Sequence, residues 1–109
     1  MKVLKFGGTS VGSVKNMDNV KSIINDGSKK IVVLSAMSGT TNALVSIAQS
    51  IADGLPIEAI GKIKTLHETY IKTIDELLNN DTLNKETKAY VASIFDVLNH
   101  LLNYWIMKL

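Results

Sequence analysis

Twice in its first half the sequence runs a short apolar, partly β-branched stretch straight into a loop of small polar residues and then into helical spacing. Val3-Leu4-Lys5-Phe6 ends in Gly7-Gly8-Thr9-Ser10, and Ile31-Val32-Val33-Leu34 ends in Ser35-Ala36-Met37-Ser38-Gly39-Thr40-Thr41. A strand stopped by a flexible polar loop and followed by a helix is the unit from which parallel sheets are built. The second run, apolar throughout, predicts an interior strand covered on both faces. Val14, Met17, Val20, Lys21 and Ile24 recur at helical spacing and are closed by Gly27, while Leu44, Ile47, Ala48 and Ile51 form a second stripe stopped by Gly54 and Pro56. Right-handed crossovers then set both loops at the carboxyl ends of neighbouring strands, where such sheets bind ligands.

After Pro56 the pattern is helical throughout. Ile60, Ile63, His67, Tyr70, Ile74 and Leu77 line one face of a long helix that should end near Asn79-Asn80-Asp81. From about Asn84, the residues Val91, Phe95, Leu98, Leu102, Trp105 and Leu109 form a wide stripe. A helix of that span is roughly 37 Å long, against a radius of gyration of about 13 Å for a compact domain of this size. Two strands neither cover so much helix nor make a stable doubly wound sheet. The expectation is an α/β chain, truncated, with βαβα over residues 1–54, a helical region over 55–109, and strands and covering surface still to be supplied.

Composition narrows the function. Of 109 residues, 46% are hydrophobic and 20% charged, a globular profile, and the formal charge of +2 is too small and scattered to mark a nucleic-acid or membrane surface. Without cysteine there is no disulfide framework and no thiolate metal site. One lysine and a five-residue strand-like run that stops at Gly7 do not make a signal peptide, and no apolar stretch is long enough to span a membrane, so the cytoplasm is the expected compartment.

Gly7 and Gly8 remove side chains where backbone amides can approach a ligand, and the following helix aims its positive end at the same place. Phosphate suits that arrangement. Lys5, near the end of its strand, can neutralise charge on a transferred phosphoryl group, and Thr9 and Ser10 add hydroxyls. Many ordinary tight turns and helix caps use the same residues. The P-loop spacing is absent, and Gly7, Gly8 and Gly12 do not fit the dinucleotide pattern.

Two loops together say more than one. Lys5-Phe6-Gly7-Gly8-Thr9-Ser10-Val11-Gly12 resembles the signature of the aspartate kinases, and Val33-Leu34-Ser35-Ala36-Met37-Ser38-Gly39-Thr40-Thr41-Asn42 resembles their second block, in the same order and at the same distance. The resemblance is sharp from residue 2 to about 54. It implies the N-terminal portion of an amino-acid kinase (carbamate-kinase-like) three-layer αβα fold. It also implies ATP and Mg2+ as cofactors, with Lys5 catalytic and Lys5, Phe6, Gly7, Gly8, Thr9 and Ser10 on the phosphates. Ser35 and Thr41 would face the substrate L-aspartate, which becomes 4-phospho-L-aspartate for lysine, threonine and methionine synthesis, and no metal ligand falls in these residues. The family's Gly-Glu motif, adenine-binding half and ACT domains have no counterpart here, so the resemblance describes a fragment inactive alone.

Other readings stay open: another amino-acid kinase acting on glutamate, carbamate or a nucleoside monophosphate, or a non-catalytic helical self-association module. His67 and His100 read as packed or edge histidines rather than catalytic ones. Asp18, Asp26, Asp53, Glu58, Glu68, Asp75 and Glu76 read as solvated charge. Phe95 and Trp105 read as core or interface, and the uncovered stripes predict homo-oligomers, through helix exchange or through the Phe95 to Trp105 face.

Overall fold

The computed structural model describes residues 1–108 and contains β1 (Lys2–Phe6), α1 (Val14–Ile24), β2 (Lys30–Leu34), α2 (Thr40–Ala52), α3 (Pro56–Leu77) and α4 (Asp81–Lys108). It divides into two compact units, Met1–Thr41 and Asn42–Leu109.

In the first unit, β1 and β2 pair in parallel with a flush register, from Lys2 opposite Lys30 to Phe6 opposite Leu34. Side chains alternate across a strand. Leu4, Phe6 and Val32 are half-buried, whereas Val3, Ile31 and Val33 on the other face are exposed. Within this chain the second strand is covered on one face only: Ile31 is 48% and Val33 45% exposed. Each face of a parallel sheet needs its own helical layer, and this unit contains one complete helix.

That helix, α1, starts because Ser13 is extended and its side chain accepts a hydrogen bond from the Asn16 N–H at 3.1 Å. It buries Val20 and stops at Ile24, before Gly27, which takes a left-handed φ of 77°. Lys30 Nζ donates to the Ile24 carbonyl at 2.6 Å, holding the last turn against the start of β2. The same ammonium pairs with Asp26, which also accepts from the Ser28 N–H and hydroxyl. Lys30, and then Ser28, hold the Asp26 carboxyl far below the usual carboxylate range.

In the second unit Gly54 turns with φ 72° and Pro56 opens α3 as its first residue. The core is Ile47, Ala59, Ile63, Leu66, Phe95 and Leu102. His67 stacks on Phe95 with ring centres 4.4 Å apart, and Tyr70 meets the same ring edge-on at 5.9 Å. His67 is thus a packed histidine; His100 is exposed. Asp75 pairs with Lys88 at 2.6 Å across the α3–α4 seam, and Glu58 with Lys62 at 3.4 Å.

α3 ends at Leu77, beside Asn79-Asn80-Asp81 as expected, and Asn80 also starts the next helix. Its side chain accepts from the Leu83 N–H at 3.0 Å and its carbonyl from the Asn84 N–H, so it caps α4, which begins at Asp81, earlier than its apolar stripe implies. α4 has 28 residues and is about 42 Å long. Of its expected stripe, Phe95 is buried in the core, so it is not a free association face; Trp105 is 54% exposed, and Leu109 lies outside the described residues. No described helix is long and apolar enough to cross a membrane.

Candidate functional site at the ends of the two strands

The flush register brings the two loops to one place. The Ser35 N–H donates to the Phe6 carbonyl at 3.0 Å, carrying the strand pairing one step past β2 before the chains part. From there residues 7–13 turn towards α1 and residues 35–39 towards α2.

The first loop is held from within and from its helix. Its Val11 N–H reaches the Gly7 carbonyl at 3.3 Å, and the Gly12 N–H the Thr9 carbonyl at 3.2 Å. Asn16 Nδ2 also donates to Thr9 O, at 2.9 Å. The carbonyl of Thr9 is thus engaged by two donors. Val11 is buried and anchors the loop.

The glycines differ in what they do. A Cβ on Gly7 would meet nothing within 4 Å, so Gly7 borders open space that a ligand can enter. A Cβ on Gly8 would stand 3.3 Å from the Ala36 carbonyl and 3.6 Å from Ser38 Cα; this glycine lets the two loops touch. Gly12 is tighter still, with a Cβ falling 2.8 Å from the Gly8 carbonyl and 2.9 Å from Ser38 Cβ. Sequence reasoning gave Gly12 and Ser38 no role, because the need for a glycine arises from a loop distant in the chain. Asn16 was missed too, although Ser13 three residues ahead of it is a legible cap signal.

Lys5 is exposed and, by alternation, shares the open sheet face with Val3, opposite Leu4 and Phe6. No carboxylate among the described residues pairs with it. A cation left unpaired beside bare backbone is chemically suited to an anionic guest. Phe6, Thr9 and Ser10 lie on the other side, lining with Asn16, Asn19, Val20 and Ile23 a cavity of about 230 Å³ against α1. Ser35 is exposed at the end of β2, and Thr41 is exposed in the first turn of α2. The expected residues thus lie near the strand ends but on two sides, Lys5 on the open face and Phe6, Thr9 and Ser10 against α1, with Ser35 at the end of β2 and Thr41 one loop further on. The described residues contain no group of three His, Cys, Asp or Glu placed to hold a metal ion.

The model of the amino acid kinase family matches residues 1–108. The chain belongs to the amino acid kinase family. Similar proteins are aspartate kinases. One from Pseudomonas fluorescens (strain SBW25) is 52% identical over 54 residues, covering 46% of this chain and 13% of its own length. Lysine-sensitive aspartokinase 3 of Escherichia coli (strain K12) is 32% identical over 102 residues, covering 84% of this chain and 23% of its own length. The chloroplastic aspartokinase 1 of Arabidopsis thaliana is 30% identical over 122 residues, covering 89% and 21%. This amino acid kinase chain therefore spans less than a quarter of the length of these relatives, and its two parallel strands followed by helices are an α/β part of the family's domain.

Proposed function

We propose that the chain is the phosphate-binding and aspartate-facing part of an aspartate kinase, in which the γ-phosphoryl group of Mg-ATP passes to the side-chain carboxylate of L-aspartate. The observation that carries this reading is the contact between the two loops, Gly8 and Gly12 against Ala36 and Ser38, at the flush ends of β1 and β2. It sets a cation and bare amides beside a loop of exposed hydroxyls. The bond between the γ-phosphorus and the bridging oxygen breaks, a carboxylate oxygen of aspartate forms the new bond, and ADP leaves. Such a transfer needs positioning and charge neutralisation more than covalent help.

In this reading Lys5 neutralises charge that develops on the transferred group, and the amides of Gly7 and Gly8 hold the phosphate oxygens. Thr9 and Ser10 edge the cradle, and Phe6 places the loop by packing. Ser35 and Thr41 orient the amino acid. Mg2+ arrives on the nucleotide. The adenine site and the remaining catalytic groups belong to the further length that the relatives carry, so this chain alone does not turn over. Its compartment is the cytoplasm, where ATP and aspartate are both available.

Two measurements test the reading. Amide resonances of Gly7 and Gly8 should move on titration with Mg-ATP or tripolyphosphate, and Lys5→Ala should abolish the movement. A chimera joining this chain to the rest of the Pseudomonas fluorescens kinase should release ADP when aspartate is supplied. Unmoved glycine resonances together with an inactive chimera would overturn the assignment.

A further inference from the structure

Past the end of β1, the backbone N–H groups of Gly7, Gly8, Thr9 and Ser10 donate to no acceptor among the described residues. A run of free amides suits an anion only if each amide keeps its direction. Among the described residues, three hydrogen bonds end on the carbonyls of this stretch. Two come from the loop itself and are long, from the Val11 N–H to Gly7 at 3.3 Å and from the Gly12 N–H to Thr9 at 3.2 Å. The third is the shortest and comes from a regular element: Asn16 Nδ2, on α1, donates to the Thr9 carbonyl at 2.9 Å. Asn16 is itself fixed, because its backbone N–H donates to Ser13 Oγ at 3.1 Å. The carbonyl of Thr9 and the N–H of Ser10 share one planar trans peptide and point opposite ways. Holding the carbonyl on Asn16 therefore aims the Ser10 N–H away from the Asn16 side chain. A turn of that peptide would set an oxygen where the N–H stood.

We propose that Asn16 is a positioning residue for the phosphate loop: its side-chain amide fixes the Thr9–Ser10 peptide, so that the Ser10 N–H joins those of Gly7 and Gly8 in holding phosphate oxygens of ATP. This role rests on the aspartate kinase reading and falls to a residue outside both loops, one that touches no phosphate and acts through the Thr9 carbonyl. The residue type fits the task. A carbonyl needs a donor, and a neutral amide supplies one without setting a negative charge beside an anionic guest. The side chain is half-buried, in a wall shared with Phe6, Thr9, Ser10 and Asn19, where water competes less for the bond. The Gly12 N–H stays on the same carbonyl when Asn16 is replaced. Losing Asn16 should therefore loosen the aim of one peptide rather than unfold the loop, and anion binding should suffer more than stability.

Tripolyphosphate titrated into the isotope-labelled chain, followed by amide resonances, tests this role. In the wild-type chain Gly7, Gly8 and Ser10 should move together. In Asn16→Leu, which keeps the volume, and in Asn16→Ala, which suits the helix, Gly7 and Gly8 should still move while Ser10 no longer follows. The Kd should rise at least about tenfold, the fold-change for a lost hydrogen bond to a charged group. Ser13→Ala takes the cap from the same turn and leaves the Thr9 contact, so it should lower the urea midpoint without changing the Kd. Asn16 variants that behave like Ser13→Ala, less stable but binding tripolyphosphate as the wild type does with Ser10 still moving, would overturn the role of Asn16 and leave the phosphate loop standing. A wild-type chain whose Gly7 and Gly8 resonances stay still would overturn both.

Discussion

Gly12 lies against Ser38 so closely that a Cβ on the glycine would stand 2.9 Å from the serine Cβ and 2.8 Å from the Gly8 carbonyl. Both contacts are shorter than carbon atoms tolerate, and one involves backbone that cannot rotate away. A valine there must push the two loops apart. Gly12→Val should destabilise the chain by about 1–3 kcal/mol, the range for overpacking, as read from urea unfolding. Gly7→Ala, beside open space, should leave stability within about 0.5 kcal/mol and weaken only anion binding. Equal losses for the two variants would mean that loop contact is not what Gly12 provides.

This contrast also marks how far the sequence could be read. The strand–loop–helix order of the first unit was legible because each apolar run is short, stops at small polar residues and is followed by a change of period. Gly7, Gly8 and Gly12 look alike in sequence, and only the arrival of Ala36 and Ser38 tells them apart. Asn79-Asn80-Asp81 reads as a stop because such residues favour loops, yet the same hydrogen-bonding ability makes Asn80 the start of α4. On α4 the apolar pattern is wide enough for two faces. Which of them meets α3 is decided by packing around Phe95, and no spacing rule contains that choice.

Lys5 separates binding from folding. It is exposed and has no carboxylate partner among the described residues, so Lys5→Ala should leave the unfolding midpoint unchanged. Under the proposed function, the same variant in the chimera should lower kcat by at least about tenfold through loss of charge stabilisation in the transition state. A drop in stability of the same order as the drop in rate would assign Lys5 a structural role instead.

Acid should loosen the α3–α4 seam through Asp75. Lys88 first, and Asn84 second, hold its carboxyl below the ordinary value of 3.8. A carboxylate with a lowered folded value contributes stability above its unfolded value and loses it as pH falls through the folded one. The chain should therefore lose stability below about pH 4, and Asp75→Asn should be the less stable protein at pH 7 with a flatter slope, so that the two converge in acid. Asp75 is exposed, so high salt should shrink the effect. Urea midpoints measured from pH 2 to 7 for both proteins decide it; identical slopes would remove Asp75 from the acid response.

Within the second unit, α2 and α3 are tied by a polar contact set in an apolar surround. Ser50 is 2% exposed, and its hydroxyl accepts from Lys62 Nζ at 2.7 Å; the same ammonium reaches the Ser46 carbonyl at 3.3 Å and Glu58 at 3.4 Å. Lys62→Met keeps the stem that packs along the helices but takes the donor from a buried hydroxyl, which should cost about 1–3 kcal/mol. Ser50→Ala removes the acceptor and leaves the half-exposed ammonium its other partners and water, so its cost should be smaller. Once the hydroxyl is gone, the loss of the ammonium matters less. The double variant should then fall short of the sum of the singles by about 0.5–3 kcal/mol, the usual coupling of directly bonded partners. Additive losses in urea unfolding would show that the contact contributes nothing beyond the packing of its two side chains.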